Sequence, residues 1–499
     1  MKNLRRNISV LTLGSVLSVS ACFASAWDGY NVPDAFNTSY NPTNYNYNLT
    51  QLKTSGTVDK EHTPWADSYW PKQRGGFAYR WRQFQSANEN QTLGVDERQE
   101  KFFNYQLYNF SDLKKMTEYA AGRAKIDALS PLEKYSIYIG DYNYALVQKY
   151  LNGNGNGPER VSWEGYCHAW APAATQWPEP APNFVINRDG IPINFGSGDV
   201  KALIVANYHE AMFPTDRRKV AERVYIGKGC NTDDTFAFLF PTTKIRNGVI
   251  EMAEYGDTDG LMDDQLEDNV RAYQDGLRQV LASNPNSVTL PYNAQKIAND
   301  RSLPSKARKR AQVCQGVNAG TFHVVIANQL GEMHKGFELD KTRDNQIWNQ
   351  PARGFHSTIT QFSAPLRKSA RGTVKVAYVE TSLEYAQDTD YSWTFWNPTL
   401  KGLFRNNVMD PEFAAEYNLY TSMLKNQGDV KKGQTLNYPD NVMDSAHYKY
   451  TLDLDEDDNI IGGDWLTLDR PDTLWIMEPK TRFEGNFTRL KEIYTPAQL

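Results

Sequence analysis

The sequence predicts an α+β fold. Helical patterning is concentrated before about residue 151, and alternating, strand-like segments take over after about Asn318. No self-similarity at the period of a solenoid or propeller repeat interrupts that division. The division suggests four regions: a leader over 1–26, an irregular arm over 27–95, a catalytic core over 96–360 and a mainly β region over 361–499.

The leader rests on the three positive charges of Met1 to Asn7, the apolar stretch from Ile8 to Val19, and Ala24-Ser25-Ala26 as an A-x-A cleavage signal. Val19-Ser20-Ala21-Cys22 also reads as a lipobox, the alternative in which Cys22 carries a lipid anchor. The apolar stretch is too short to span a bilayer and no later run of ~18 apolar residues follows, so the expectation is a secreted or periplasmic protein without a transmembrane segment. The arm, with Tyr40-Asn-Pro-Thr-Asn-Tyr-Asn-Tyr-Asn-Leu49, has little periodicity; a propeptide covering the active cleft is one role it could fill. Ser111-Asp-Leu-Lys begins one helix, and Ser130-Pro131-Leu132-Glu133 supplies an N-cap, a first-turn proline and a capping carboxylate for another. Gly153 to Pro158 is a flexible connector. Farther on, Thr373 to Tyr378 and Tyr448 to Leu454 alternate at period two, as half-buried strands do.

The 499 residues carry 54 Lys and Arg against 59 Asp and Glu, a net charge of −5, and loss of the leader makes the remainder more acidic still. Without a clustered basic block the chain is a poor partner for a phosphate backbone, so nucleic acid is excluded. With 40% apolar residues it is not a disordered chain. G-x-S-x-G, G-x-x-x-x-G-K-[ST], H-E-x-x-H and C-x-x-C are all absent, which argues against elbow-type serine hydrolases, P-loop enzymes and zincins. No organic cofactor is implied.

Beyond Cys22 there are three cysteines, Cys167, Cys230 and Cys314. An oxidising compartment suggests one disulfide and one free thiol, assigned as Cys230 with Cys314 and Cys167 free; three unpaired thiols are the alternative. Trp163-Glu-Gly-Tyr-Cys167-His-Ala-Trp170-Ala-Pro-Ala-Ala174 places Cys167 near a helix N-terminus, where backbone N–H groups and the macrodipole favour a thiolate. Those N–H groups could also receive an oxyanion, Gly165 would allow close backbone approach, and Trp163 and Trp170 are further oxyanion or substrate candidates. Pro172 suits a first turn, which would put Cys167 just ahead of the helix proper. A buried structural cysteine is the plain alternative.

Seven histidines limit the search for a base. Thr321 to Leu330 reads as a strand, Gly336 to Asp340 as its partner, and Gly331-Glu332 as a two-residue turn between them. That register sets Phe337 against Ile326, Leu339 against Val324, and Asp340 opposite His323, within reach of a carboxylate–imidazole bond. Cys167, His323 and Asp340 would then form a nucleophile, base and orienter, with Asp344 and Asn345 in reserve for the third place. An ordinary His–Asp pair is the alternative.

Ile347-Trp348-Asn349-Gln350-Pro351-Ala352-Arg353-Gly354-Phe355 closely resembles the W-N-Q-P-V-R-G-F segment of the transglutaminase-elicitor family of oomycete plant pathogens. Gly165 to Ala174 and Asn318-Ala-Gly-Thr-Phe-His323 resemble that family's cysteine and histidine segments, in the same order, and the likeness runs over about 95 to 480. Ala319 stands where proline is usual and Ala352 where valine is. The resemblance implies a papain-like cysteine core forming γ-glutamyl–lysine bonds between proteins carrying Gln and Lys, commonly with calcium, and puts Cys167, His323 and Asp340 in the catalytic roles. Trp348, Asn349, Gln350, Pro351 and Arg353 are expected as a rigid surface loop apart from the chemistry. A papain-like protease or glutamine deamidase would use the same triad, and a non-enzymatic carbohydrate or cell-wall binder fits the 12 Trp and 29 Tyr. For calcium, Asp257, Asp259 and Asp263 alternate as a hard cation prefers, although Leu261 and Met262 break the EF-hand pattern. Asp453, Asp455, Asp457, Asn459 and Asp464 are spaced better but continue a strand pattern, which makes a hairpin tip the expected form.

Overall fold

A computed structural model describes residue 27, residues 30–80, 106–152, 156, 160, 163–213, 222–227, 244–246, 249–251, 316–341, 347–366, 369–388, 443–467 and 470–496. The leader with Cys22, the Cys230–Cys314 pair, the acidic residues Asp257, Asp259 and Asp263, the reserve residues Asp344 and Asn345 and most of the Gly153–Pro158 connector lie outside these. No helix among the described residues is long and apolar enough to cross a membrane.

The architecture is a mixed helix and sheet arrangement around a curled antiparallel sheet. The arm contributes strand β1 (Ser55–Thr57) and otherwise irregular chain with short 3-10 turns. Helices follow as α1 (Phe110–Thr117), α2 (Ala120–Asp127), α3 (Pro131–Ile139), α4 (Ala145–Asn152) and α5 (Cys167–Gln176). Hairpin β2 (Asn183–Ile186) and β3 (Pro192–Phe195) leads into the long α6 (Ser197–Met212) and strand β4 (Glu222–Gly227). Beyond the small β5 (Lys244–Arg246) and β6 (Val249–Glu251) come α7 (Ala319–Ile326), β7 (Glu338–Asp340), β8 (Asn349–Ser363), β9 (Lys375–Ala386), β10 (Met443–Leu454), β11 (Ile460–Trp465) and β12 (Thr473–Glu478). The sheet runs β11-β10-β9-β8-β7-β12-β4, with β1 paired to β8. β8 crosses residue 360, so chain on both sides of that boundary shares one sheet.

Local chemistry explains the helix ends. Ser130 and Glu133 close a reciprocal capping box around Pro131 at the start of α3. At α1 the cap is Asn109, whose side chain accepts from Asp112 N–H, rather than Ser111 two residues later.

The largest departure from expectation is at Thr321 to Leu330, which is helix and not strand. Asn318 caps α7, its side-chain oxygen accepting from Gly320 and Thr321 N–H, and a π-helical turn over Ala327–Glu332 extends it. Every residue of α7 is buried. A helix apolar on all sides shows no 3.6 periodicity, and a short apolar run is then indistinguishable from a strand. Gly320 allows the helix to lie directly on β11: a Cβ there would stand 2.5 Å from the Gly462 carbonyl oxygen. With no strand at 321–330, the hairpin that set Asp340 against His323 does not form; Asp340 pairs with Asn349 and Thr473 instead.

The sheet separates two apolar cores. Along β12, Leu474 and Ile476 face α7, whereas Trp475 and Met477 face α5 and α6. The β7 residues follow the same alternation, Leu339 toward α7 and Glu338 toward Thr175 of α5. The α5 side also holds Trp65, Trp70, Phe77 and Tyr79 of the arm, all fully buried. Deep charges are paired: Lys134 with Asp199 at 2.7 Å and Lys201 with Glu179 at 2.7 Å.

Candidate active site

Cys167 is the first residue of α5. Its predecessor Tyr166 has a non-helical backbone (φ −114°, ψ 25°), and the Tyr166 carbonyl accepts from the Ala169 and Trp170 N–H groups, each at 2.9 Å. The Cys167 and His168 N–H groups precede that ladder and carry no hydrogen bond among the described residues, so both are available to a developing oxyanion. Pro172 lies inside α5 and not in its first turn.

The sulfur faces β7 and β8. Cys167 Sγ donates to the Ile347 carbonyl at 3.3 Å, and Asn349 Nδ2 points at the sulfur from 3.6 Å. Asn349 is held by the Trp475 indole, whose Nε1–H donates to Asn349 Oδ1 at 2.8 Å. Asp340 shares this face; one of its carboxylate oxygens accepts the Trp348 N–H at 3.0 Å. The Trp348 ring meets Tyr69 of the arm edge-on, with centroids 5.4 Å apart. Burial pushes the thiol above its ordinary pKa; the Asn349 hydrogen bonds pull it down and the Asp340 and Asp388 carboxylates push it further up. Burial thus works against the thiolate that the helix N-terminus would favour.

His323 stands elsewhere. It lies on α7, on the opposite side of the sheet from Cys167, only 2% exposed, with Nδ1 hydrogen-bonded to the Tyr450 hydroxyl at 2.7 Å. That hydroxyl meets Thr381 Oγ1, which meets Ser357 Oγ, giving a closed polar chain inside the second core. Burial alone lowers the His323 pKa to about 4, with no contribution from Asp340 or Cys167. The Cys167–His323–Asp340 constellation therefore does not assemble, and only Cys167 and Asp340 share a face. The other histidines have their own surroundings: His168 Nε2 meets His209 Nδ1 at 3.1 Å, His334 meets the Thr57 carbonyl, and His62, His356 and His447 are exposed. None is hydrogen-bonded to the sulfur.

The remaining sequence candidates divide. Trp170 is committed to packing, its Nε1 donating to the Trp65 carbonyl at 3.1 Å, and cannot serve an oxyanion. Gly165 does admit a backbone, but that of Tyr69: a Cβ would lie 2.2 Å from the Tyr69 oxygen. Trp163 sits partly exposed in the turn before α5. From Asn349 to Arg353 the segment is the start of β8 and not a surface loop, with Trp348 just ahead of the strand. Asn349 and Gln350 are buried, Gln350 Nε2 donates to Asp388, Pro351 pairs with Glu338, and Arg353 reaches Glu384. Pro351 is tolerated because the β9 ladder begins only at Ala352. Trp475 and Tyr69 are site residues that sequence reasoning missed, and Asn349 was named there only as part of the expected surface loop. The readable signal for Asn349 was its place in the segment quoted above.

No group of three or more His, Cys, Asp or Glu side chains able to hold a metal occurs among the described residues. In the β10–β11 hairpin, the expected hairpin tip, Asp455 accepts from the Asp457 and Asn459 N–H groups and Asp458 pairs with the Lys375 ammonium.

Comparison with known families decides the chain's place. The profile of the transglutaminase elicitor family matches residues 36–235, 292–387 and 417–488. The chain belongs to the transglutaminase elicitor family. This elicitor-family chain is also similar to the crystal structure of the GP42 transglutaminase from Phytophthora sojae, at 18% identity over 88% of each chain with a TM-score of 0.45. Comparison with curated proteins finds no match.

Proposed function

We propose that this transglutaminase-elicitor protein is an exported protein-glutamine γ-glutamyltransferase whose nucleophile is Cys167. The observation that carries the reading is the meeting at one sulfur of a helix N-terminus and the Asn349 carboxamide, with the Asp340 carboxylate on the same face of the sheet. The sulfur attacks the γ-carboxamide carbon of a substrate glutamine. The thiol proton passes by way of Asp340 to the departing nitrogen, which leaves as ammonia, and a thioester remains. The oxyanion is met by the Cys167 N–H and Asn349 Nδ2; loss of one such donor typically costs ~10²–10³ in rate. A lysine amine then attacks the thioester, loses its proton to Asp340 and yields the isopeptide bond as the thiol re-forms. Water in its place gives deamidation. His323 has no part in these steps.

A second reading is binding without turnover, which is favoured by the thiol's upward shift and by the lack of any histidine bonded to it. Incubation with a glutamine-bearing protein and a labelled primary amine, followed by mass spectrometry, separates the readings. A covalent amine adduct that disappears in Cys167→Ala supports transfer. A cut backbone would show a protease, and an unmodified protein held by the chain would show a binder.

A further inference from the structure

Two routes lead outward from Cys167 and meet. Through Asn349 the first reaches Trp475, whose ring stacks on Tyr225 of β4 at 5.6 Å and 27°. Through the next residue, His168, the second reaches Phe213 at the end of α6, ring centroids 5.9 Å apart and nearly perpendicular. Arg223 joins them, its guanidinium 5.4 Å from the Phe213 ring and 5.9 Å from the Tyr225 ring. These contacts close a circuit that begins and ends at the nucleophile, and its outer members are exposed, Phe213 at 53% and Tyr225 at 45%.

Exposed aromatics beside a site are costly unless something covers them. Positive charge borders this surface, with Glu338 buried behind Tyr225. Arg223 forms no ion pair among the described residues, and Lys72 lies on the same side: burial and His209 first, then Lys72 and Arg223, lower the pKa of the neighbouring His168. Such a surface attracts an anion and repels lysine-rich chain.

We propose that Phe213, Arg223 and Tyr225 form the subsite for the acyl-donor peptide, receiving an aromatic or large apolar residue with an acidic neighbour beside the reactive glutamine. The aromatic side chain lies against Phe213 and Tyr225, and the carboxylate pairs with the Arg223 fork. The subsite rests on the transferase reading for its meaning, but not for its test.

The test uses full-length Cys167→Ala protein, which cannot turn over, and fluorescence anisotropy with three labelled peptides. One flanks glutamine with phenylalanine and glutamate, one with phenylalanine and lysine, one with serine and glutamate. The first is expected to bind about tenfold or more tightly than either other. Adding Arg223→Glu should invert the preference between glutamate and lysine, and adding Tyr225→Ser should erase that between phenylalanine and serine. Equal affinity for all three, or a preference unmoved by Arg223→Glu, overturns the subsite. Selective binding without amine incorporation by the unaltered protein would instead sink the transferase reading and leave the subsite standing.

Discussion

Trp475 aims Asn349 at Cys167: the indole N–H holds the carboxamide oxygen at 2.8 Å, which leaves the amide nitrogen turned to the sulfur at 3.6 Å. Trp475→Phe keeps the packing and removes the tether, so the amide can rotate. Amine incorporation should fall about 10- to 100-fold in kcat with little change in KM, because only the transition state gains from that donor. Thermal stability should drop by about 1 kcal/mol.

His323→Ala should behave as a core substitution. It removes a buried ring and one partner of Tyr450, at a cost of about 2–4 kcal/mol, yet iodoacetamide labelling of Cys167 in the folded protein should stay within a few-fold of the unaltered protein. Loss of Cys167 reactivity in a variant that still melts cooperatively would restore the imidazole to the site.

The pH dependence of Cys167 alkylation should rise steadily from pH 7 to 9 without a plateau, because burial holds the thiol above its ordinary value and no imidazolium partner stabilises the thiolate. A thiolate–imidazolium pair would give a flat profile over the same interval.

Stability should respond to pH from both sides. The His323 pKa of about 4 lies below its unfolded value of ~6.5, so its contribution is complete above pH 6.5 and falls away by about 3 kcal/mol as pH drops toward 4. His209, lowered to about 3, acts in the same sense. Glu338 is opposite: burial raises it to about 8, and its contribution is lost as pH climbs from its unfolded value of ~4.3 toward 8. Glu338→Gln should therefore raise the melting temperature at pH 8 and leave it nearly unchanged at pH 4.5.

Trp70→Ala tests whether the arm is removable. Trp70 is fully buried and donates to Asp67, so its loss should cost about 3–5 kcal/mol. Trimming the chain to beyond Tyr79 should yield insoluble protein; an active, cooperatively melting truncation would show that the arm is a separable propeptide.

Legibility followed locality. The Ser130 cap and the alternating strands β9 and β10 were readable because each is decided within a few residues. Cys167 and Asp340 were assigned to one site from the sequence, but by way of His323; that they share a face without it depends on how β7 lies under α5, which no local pattern shows. The His323 segment was misread because burial on all sides erases the helical period, and Asn318, its cap, carries the only local sign of a helix. Trp475 lies more than 100 residues from its partner Asn349, so no local pattern could connect them.

The three residues of β7 sort an acid, a leucine and an acid to alternate sides of one sheet, so the reactive centre is encoded by parity. Deleting Phe337, with the chain before it held in place, would exchange the two sides, turning both carboxyl groups toward the apolar core under α7 and presenting Leu339 to the sulfur. A change of length ahead of β7 is therefore tolerable in steps of two, which keep Glu338 and Asp340 on the cysteine's side of the sheet.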